Sequence, residues 1–438
     1  MMTLQPGRFR SWGGTTRPVH FLARPHRESE LPPLMAEAQA TGKKVLAVGL
    51  GRSYGDSCLN SNGALMVMTN LRRVLRFDRA AGTIRAEAGI SLRELARITI
   101  QEGFSIPVLP GTQRVTLGGA IANDVHGKNH EVAGTFGSHI RALQLLRSDG
   151  VVHDLKPVDP LFRATVGGLG LTGIITSAEI KLEPLSTSQM DVQNIGFSGL
   201  NEFLGINRAS VTTFPYSAAW IDCARLTELS GIYSRGRQSS EGPLQLPRDS
   251  TGWKIPIELP WSLVNQSTVR VLNALYYLTH RPNRRVHRVD MDSFLHPLDH
   301  IAEWNRLYGP RGFFQYQMAV PTSASAAIPE CVRQVNKTDQ RPYLAVLKAF
   351  GSRRSPGLLS FPIEGLTFAL DFPNRGASTL RLLERLDTVV REAKGRVYLA
   401  KDSHMSAQMI HSTYSRIEEF AGYIDSLFCS DLWRRATS

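Results

Sequence analysis

The chain has 438 residues, of which 42% are hydrophobic and 20% are charged, and its formal net charge at pH 7 is +13. This length favours two domains, and the composition is typical of a soluble globular protein. The sequence has no apolar run of about 18 residues, which argues against a membrane span. The N-terminal residues MMTLQPGRFRSWGGTTRPVH lack the apolar core of a signal peptide, so we expect a cytoplasmic protein.

Four cysteines are scattered through the chain, without a CxxC pair or the spacing of a metal site. They indicate reduced thiols rather than a disulfide framework, and no metal ion is expected. The basic charge favours an anionic partner, which is a nucleic acid, a lipid headgroup or a phosphorylated substrate. Because the sequence has no zinc-finger spacing, heptad array or aromatic-glycine RNA-binding signature, we expect no nucleic acid partner.

The first part of the chain alternates short strands, turns and helices. Strands are predicted in KVLAVG, ALMVM and TIRAEAG, and a helix capped by Ser91 in SLRELARITIQEG. A glycine-rich region over 110–137 precedes a predicted hairpin in ALQLLRSDGVVHDL, with its turn at Asp149 and Gly150. DPLFRATVGG predicts a short helix and GIITSAEIKLEPL a closing strand. The composition then changes near 185–188, which suggests a domain boundary.

The second part has aromatic-rich strand patterns in SAAWIDC, FFQYQMAV, YLAVLKAFG and LTFALDFP. Between them lies a polar segment with prolines, 236–262, which predicts a mobile loop or lid. Long helices are predicted near 374–394 and 405–422.

Two glycine motifs resemble a Rossmann fingerprint, which requires a strand, then G-x-G-x-x-G, and then a helix. In KVLAVGLGRSYGDSCLN the spacing is G-x-G-x-x-x-G, and turn-rich residues follow where a helix should begin. Gly168, Gly170 and Gly173 match the spacing, but a predicted helix precedes them and a strand follows. Both motifs are therefore rejected as Rossmann phosphate loops.

The alternative is an anion site built from backbone groups. Glycines in a tight loop allow successive N–H groups to converge on a phosphate without interference from Cβ atoms. Three segments have this character: GLGRSYGD, the region 110–137 and the region 167–173. One such segment would be explained well by an ordinary turn, but ordinary turns explain three of them in the first 175 residues poorly. We therefore expect one extended ligand with a pyrophosphate at its centre.

These segments resemble a known family. GLGRSYGDSCLNSNG, PVLPGTQRVTLGGAIANDVHGKNHEVAGTFGSHI and FRATVGGLGLTGII are similar to the FAD-binding domain of the vanillyl-alcohol oxidase and aldonolactone oxidase superfamily. Within it, EWNRLYGPRGFFQYQMAVP, LKAFG, LSFPIEGLTFALDFP and VYLAKDSH resemble the decaprenylphosphoryl-β-D-ribose 2′-oxidase family. The oxidases of that family are the flavin-containing half of an epimerase, which makes the arabinose donor for bacterial cell-wall glycans. The resemblance covers nearly the whole chain.

The resemblance implies an α+β fold with two domains. An FAD-binding domain is expected at 7–187 plus 396–438, and an inserted antiparallel-sheet domain for the substrate at 188–395. The residues expected to hold FAD are Gly49, Leu50, Gly51, Arg52, Ser53, Tyr54, Gly55, Gly111, Thr112, Val115, Gly118, Gly119, Asn123, His126, Gly127, Gly170, Gly173, Ile175 and Tyr398.

At two positions this chain differs from the families that it resembles, and these differences affect flavin attachment and the reaction with thiol-directed inactivators. Many members of the superfamily bond FAD covalently through a His that directly precedes the Ser of the first phosphate loop. Arg52 occupies this place and cannot make the bond, so we expect noncovalent FAD. Mycobacterial members have a Cys just before VDFP, where this chain has Ala369. Thiol-directed inactivators therefore cannot attach at this position, whereas hydride transfer does not need the Cys.

Oxidation of a secondary alcohol requires a hydride acceptor, which is flavin N5, and a group that takes the hydroxyl proton. By resemblance Lys401 faces substrate and flavin, and a pKa lowered by burial would let it accept the proton. Tyr54, Gln315 and His126 complete the predicted catalytic set, with His126 weighted equally between catalytic help and flavin positioning. Gln315 and Gln317 share one side of a strand, which is either a pocket wall or a polar solvent face. The substrate pocket is predicted from Lys128, Trp220, Tyr308, Gln317, Lys348, Phe350 and Ala369.

The resemblance predicts FAD-dependent oxidation of the C2 hydroxyl of a polyprenylphosphoryl-β-D-ribose to the 2′-keto sugar, which an NAD(P)H-dependent keto-reductase partner then reduces. A soluble sugar, aldonolactone or alditol oxidase of the same superfamily is the alternative, and a non-enzymatic anion binder is a third hypothesis. STVRVLNALYYLTHRPNRRVHR combines apolar residues with a basic run. It is either a peripheral contact with an anionic membrane or a core-packed element with a solvated basic end.

Overall fold

The computed structural model describes residues 3–247, 253–280 and 282–438. The strands of the first part are β1 (Gln5–Arg8), β2 (Val19–Ala23), β3 (Val45–Val48), β4 (Ala64–Val67), β5 (Val74–Asp78), β6 (Thr83–Glu87), β7 (Phe104–Ser105), β8 (Ile140–Leu146), β9 (Val152–Leu155), β10 (Ile174–Lys181) and β11 (Glu183–Pro184). Its helices are α1 (Leu31–Ala40), α2 (Leu92–Gln101), α3 (Leu117–Ala122), α4 (His130–Ala133) and α5 (Pro160–Thr165).

Two main sheets form the first part. One has the order β1-β2-β4-β3, with β2, β4 and β3 parallel and β1 antiparallel to β2. The other is antiparallel with the order β5-β6-β10-β8-β9, so the predicted hairpin forms and the predicted closing strand, β10, is the central strand. The predicted cap of α2 is confirmed, because Ser91 and Glu94 exchange side-chain to backbone hydrogen bonds in a capping box.

The second part contributes the strands β12 (Gln189–Phe197), β13 (Tyr216–Ile221), β14 (Gly231–Gln238), β15 (Trp253–Lys254), β16 (Asn283–Asp290), β17 (Ile301–Ala302), β18 (Phe313–Pro321), β19 (Ala345–Phe350), β20 (Gly365–Pro373) and β21 (Arg396–Val397). Its helices are α6 (Leu200–Ser210), α7 (Gln266–Thr279), α8 (Met291–Leu295), α9 (Ala327–Asn336), α10 (Ala377–Glu392), α11 (Ala407–Thr413), α12 (Ile417–Ala421) and α13 (Asp431–Ala436).

An antiparallel sheet with the order β16-β12-β14-β13-β19-β20-β18-β21 dominates this part. One face of it packs against α9 and α10: Met318 contacts Cys331 of α9, and the Tyr316 hydroxyl donates to Asp387 of α10 at 3.0 Å. Because side chains alternate along a strand, the intervening Gln315 and Gln317 point to the opposite face. That face is one wall of the cavity described below.

The predicted domain boundaries stay predictions. The five-stranded sheet of the first part ends with β10, and the eight-stranded sheet begins with β12, on either side of the composition change near 185–188. β21 belongs to the eight-stranded sheet, although the boundary predicted at 395 assigns it to the other domain. The predicted mobile loop 236–262 begins inside β14 and contains β15, which pairs with β17. Residues 248–252 of it lie outside the described residues.

The single long helix predicted over 405–422 is wrong. Two short helices, α11 and α12, occupy this stretch, and Tyr414 between them has φ −112° and ψ 84°. The Tyr414 ring is buried, and its hydroxyl donates to the Val397 carbonyl at 2.7 Å. A tertiary contact therefore ends the helix where local propensity would have allowed it to continue.

The C-terminal segment returns to the loop after β3. The backbone N–H of Tyr54 donates to the Ala400 carbonyl at 3.1 Å, and that of Asp56 donates to the Asp402 carbonyl at 3.2 Å. Arg435 of α13 forms ion pairs with both Asp56 and Asp402, each at 2.9 Å. Gly55 lies at the closest approach, since a Cβ atom there would be 1.6 Å from the Asp402 carbonyl oxygen.

Gly55→Ala is therefore expected to destabilise the fold. The added methyl group cannot fit without displacing backbone, and overpacking of this kind costs about 1–3 kcal/mol or more. Gly111→Ala is the matched control, because a Cβ atom at Gly111 meets nothing within 4 Å. Urea unfolding of the two variants measures the difference. Equal stability of both variants would contradict the packing described here.

Candidate active site

One cavity of about 440 Å³ lies between the glycine-rich segments and the face of the eight-stranded sheet that carries Gln315 and Gln317. This volume is within the usual range for small-molecule sites. The cavity brings together all of the residues predicted for cofactor, catalysis and substrate except Gly55, Tyr308 and Phe350. Residues far apart in the sequence thus line one site, while their individual roles stay predictions.

The first glycine-rich segment follows β3 directly. Gly49 has no room for a side chain, because a Cβ atom there would lie 2.2 Å from Oγ1 of Thr116. Gly51 has a φ of +65°, a conformation that favours glycine. The backbone N–H groups of 50–53 donate no hydrogen bond to any described residue. Successive unpaired N–H groups beside a cavity are suited to bind an anion such as a phosphate.

Arg52 adds a fixed positive charge to this segment. Its guanidinium lies 4.2 Å from the centre of the Trp12 ring, and its Nη1 donates to the Leu50 carbonyl at 2.9 Å. Burial lowers the pKa of Arg52, but an arginine remains protonated at any physiological pH. Arg52 is therefore a positioned cation, with no nucleophilic nitrogen for a bond to a cofactor.

The second segment approaches the cavity through α3. Thr116 caps this helix, and its Oγ1 accepts the backbone N–H of Gly119 at 3.2 Å. Asn123 Nδ2 donates to the Gly119 carbonyl at 2.8 Å, and the Tyr398 hydroxyl donates to the Asn123 carbonyl at 2.9 Å. The C-terminal segment thus fixes the end of α3. The third segment adds to the wall Gly170, Gly173 and Ile175.

The two glutamines of β18 face the cavity, so the interpretation of a polar solvent face is wrong. Gln317 is buried, and its Nε2 donates to Thr367 Oγ1 at 3.0 Å and to His126 Nε2 at 3.1 Å. His126 Nε2 must then be the acceptor, which places the proton of the neutral ring on Nδ1. Burial lowers the pKa of His126 well below its usual range. His126 Nδ1 has no partner among the described residues and faces a site that can provide one.

Three lysines line the same cavity. Burial, together with the charges of Lys401 and Lys128, lowers the pKa of Lys348 to about 7. Burial also lowers the pKa of Lys401 to about 8 and that of Lys128 to about 8. Lys401 Nζ lies 5.1 Å from the centre of the Tyr54 ring, whose own pKa burial raises. The cavity is therefore basic, and its lysines lose their protons more easily than exposed lysines do.

Asp371 is a site residue that the sequence analysis missed. It lines the cavity from β20, directly opposite Gln315 of β18. Gln315 Nε2 donates to Asp371 Oδ1 at 2.6 Å. Burial raises the pKa of Asp371 to about 7, against the opposing effects of Gln315 and Lys401. The signal in the sequence was a single acidic residue inside the apolar strand LTFALDFP.

Three predicted residues lie behind the wall. Gly55 packs against the backbone of Asp402. Tyr308 is buried and stacks on Phe313, with ring centres 4.1 Å apart. Phe350 packs edge-on against the His126 ring at 4.9 Å. These residues support the shape of the site from outside the cavity.

The lining fits an FAD molecule. The unpaired N–H groups of 50–53 and the cation of Arg52 match a pyrophosphate. Buried polar atoms without a partner among the described residues occur in the same wall, namely Asn123 Oδ1, His126 Nδ1 and Gln315 Oε1. Such atoms are costly unless a ligand or water satisfies them, and an isoalloxazine edge offers both donors and acceptors.

The fold, this cavity and the similarity to the proteins named next define an FAD-dependent oxidoreductase that acts on CH–OH groups. Residues 19–156 match the family described as "FAD binding domain". The decaprenylphosphoryl-beta-D-ribose oxidase of Mycolicibacterium smegmatis is 36% identical over 98% of this chain and 97% of its own length. The L-gulono-1,4-lactone dehydrogenase of Mycobacterium tuberculosis is 29% identical over 45% of this chain and 46% of its own, and the alditol oxidase of a Streptomyces species is 27% identical over 40% and 41%.

Similarity to the ribose oxidase extends through both parts of the chain, whereas similarity to the other two covers less than half of it. The chain therefore belongs to the decaprenylphosphoryl-β-D-ribose oxidase family of FAD-binding oxidoreductases. The predicted cofactor class and the predicted α+β fold are confirmed.

Proposed function

We propose that this enzyme oxidises the C2 hydroxyl of a polyprenylphosphoryl-β-D-ribose to the 2′-keto sugar. The observation that carries the proposal is the placement of Lys401 and three other polar side chains, Gln315, Gln317 and His126, opposite the glycine-rich cradle in one cavity. When bound there, FAD supplies the acceptor for the hydride that leaves the alcohol carbon. The ketone product then requires an NAD(P)H-dependent keto-reductase partner for conversion to the arabino sugar.

In this proposal the three lysines of the cavity have different roles. Lys401 orients the sugar hydroxyl, and its lowered pKa makes it a competent proton acceptor near neutral pH. Lys128 and Lys348 provide the positive charge that a phosphodiester-linked lipid sugar needs. Trp220 and Tyr276, whose rings lie 4.6 Å apart in the wall, offer an apolar surface to the first isoprene units. The proposal thus assigns a chemically suitable group of the cavity to the sugar hydroxyl, to the phosphate and to the lipid of the substrate.

Farnesylphosphoryl-β-D-ribose is expected to bleach the visible flavin absorbance of the wild-type enzyme under anaerobic conditions. Lys401→Met should keep FAD but slow this reduction by about 10²-fold or more, as loss of a general base does. Stopped-flow absorbance measures both. Lys156→Met, at an exposed lysine, is the matched control and should reduce at the wild-type rate.

The alternative function gives a different result in the same experiment. Bleaching by L-gulono-1,4-lactone or an alditol, without bleaching by the lipid phosphate, would overturn the proposed substrate in favour of a soluble oxidase. The similarity to the lactone dehydrogenase and the alditol oxidase makes these compounds the appropriate comparison.

We also propose that FAD is held without a covalent bond, because Arg52 offers no nucleophile beside the first glycine-rich segment. Denaturation with acid or SDS is expected to release all of the flavin into the soluble fraction. Fluorescence of the separated polypeptide on a gel measures any flavin that stays attached. A fluorescent polypeptide band would contradict noncovalent binding.

A peripheral membrane contact is the third part of the proposal. None of the described helices is long and apolar enough to cross a membrane. The helix α7 nevertheless exposes four aliphatic side chains to solvent, namely Val271, Leu272, Leu275 and Leu278. Tyr276 of the same helix lines the cavity, and β16, which follows α7, exposes Arg285. An apolar helix face next to a basic strand, at the cavity wall, suits an anionic membrane that carries the lipid substrate.

The wild-type enzyme is expected to float with vesicles of phosphatidylglycerol and phosphatidylcholine. Leu275→Ser combined with Leu278→Ser should weaken this binding by about tenfold or more, because each leucine would lose its buried contact with lipid. Arg285→Gln should weaken it only at low salt. Leu75→Ser, at a leucine of β5 that is 47% exposed, is the matched control. Flotation unaffected by the double substitution would exclude α7 as the contact.

A further inference from the structure

The Asp371 carboxylate occupies the cavity wall and has no part in the function proposed so far. Its neighbours on β20, Leu370 and Phe372, are buried in the core behind the sheet, so alternation turns the Asp371 side chain toward the cavity. The backbone N–H of Asp371 donates to the Leu344 carbonyl at 3.0 Å, just before β19. The strand pairing therefore fixes where this carboxylate enters the cavity wall.

Only one oxygen of the Asp371 carboxylate has a partner. Oδ1 accepts a hydrogen bond from the Gln315 amide at 2.6 Å. Oδ2 is buried without a hydrogen-bond partner among the described residues, and the residue as a whole is 1% exposed. Because a buried polar oxygen is costly when it stays unpaired, a ligand of this cavity is expected to bond to Oδ2.

The opposite end of the same wall is basic. Lys348 of β19 is paired with Thr367 of β20, and both residues line the cavity. Thr367 and Asp371 are four residues apart on β20, which corresponds to about 13 Å along a strand. Lys348 Nζ lies 5.9 Å from the centre of the Phe350 ring, and Phe350 is paired with the first residue of β20, still further from Asp371. The wall therefore has a lysine at one end and a carboxylate at the other.

This polarity favours one orientation of the proposed substrate. A carboxylate repels a phosphate, so the phosphate belongs beside Lys348 and Lys128, where it also favours the protonated form of each lysine. The sugar then lies toward Asp371, on the sheet side of a cofactor held by the glycine-rich segments. A sugar hydroxyl both donates and accepts hydrogen bonds, so it matches Oδ2 whether the carboxyl group is ionised or protonated.

We propose that Asp371 is a specificity-determining residue whose Oδ2 atom binds a sugar hydroxyl other than the one that is oxidised. This inference rests on the proposed function, which assigns the C2 hydroxyl to Lys401. A ribofuranosyl group has two further hydroxyls, at C3 and C5. A substrate that lacks the bound hydroxyl leaves Oδ2 unpaired in the closed site, and sites of this kind discriminate strongly against such analogues.

A double-mutant cycle between Asp371 and the substrate tests the proposal. Farnesylphosphoryl-β-D-ribose is compared with its 3-deoxy and 5-deoxy analogues by anaerobic stopped-flow reduction of the flavin. The dependence of the rate on concentration gives the dissociation constant and the limiting rate separately. The wild-type enzyme should bind one analogue about tenfold or more weakly than the parent compound. Asp371→Asn should bind the parent compound about tenfold more weakly and should no longer distinguish it from that analogue.

Asp124→Asn is the matched control, because Asp124 is a buried carboxylate that lies outside the cavity lining. Both of its oxygens have partners, namely the Gly137 N–H at 2.8 Å and the Ser360 hydroxyl. This variant should keep the wild-type preference for the parent compound. If each analogue loses the same factor in Asp371→Asn as in the wild type, the inference is overturned. Equal binding of the parent compound and both analogues by the wild-type enzyme would also overturn it, and this measurement needs no variant.

Two further measurements on Asp371→Asn separate substrate binding from other roles. Its dissociation constant for FAD should equal that of the wild type, and weaker FAD binding would assign Oδ2 to the cofactor and overturn the inference. Its limiting rate of flavin reduction should stay close to that of the wild type, because an interaction made equally in the ground state and the transition state changes affinity alone. A lower limiting rate with unchanged substrate affinity would likewise overturn it.

If farnesylphosphoryl ribose fails to reduce the wild-type flavin, the proposed substrate fails. The same cycle is then carried out with the lactone or the alditol that does reduce it, together with its deoxy analogues. Loss of discrimination against one analogue in Asp371→Asn supports the role of Asp371. Unchanged discrimination against every analogue overturns it.

Discussion

The site depends on the contact between the loop after β3 and the segment 398–402. Backbone hydrogen bonds from Tyr54 and Asp56 hold the two together, and the absence of a side chain at Gly55 allows the approach. The first loop carries the unpaired N–H groups of the cradle, while the second segment carries Lys401. Because the two stretches touch directly, the backbone fixes where the main chain of Lys401 lies relative to the cradle.

The eight-stranded sheet supplies polar side chains to the cavity beside this contact. Strict alternation along β18 sends Tyr316 and Met318 into the core against α10 and α9, and Gln315 and Gln317 into the cavity. β20 follows the same rule, so Asp371 appears opposite Gln315. Polar groups placed this way are removed from water, and desolvation shifts their pKa values toward neutrality from both directions. The pKa of Lys401 is thus lowered to about 8, and that of Asp371 is raised to about 7.

Local signals explain how much of this arrangement the sequence reveals. Glycine density identified the cradle, and the pattern of Ser91 and Glu94 identified the start of α2, because both effects act within a few residues. Asp371 was not predicted as a site residue, because one acidic residue in an apolar strand does not indicate which neighbouring strand it will pair with. The strand pairing that gives it Gln315 joins residues 56 positions apart. The helix break at Tyr414 was not predicted either, because it depends on a hydrogen bond to the Val397 carbonyl, which lies elsewhere in the sequence.

A network of buried charges behind Lys401 explains why the C-terminal tail belongs to the site. His404 lies between Asp387 and Asp402, with contacts of 3.1 Å and 3.0 Å. Burial alone would lower the pKa of His404, but these two carboxylates outweigh it and raise the pKa to about 10. Burial likewise opposes ionisation of Asp402, yet Arg435 and His404 hold the pKa of this carboxyl below its ordinary value. Removal of one member of such a set leaves a buried charge unpaired, which costs several kcal/mol. Asp402, the residue after Lys401, is therefore anchored by α13 and indirectly by α10. The described residues after Lys401 position the lysine, but none of them lines the cavity.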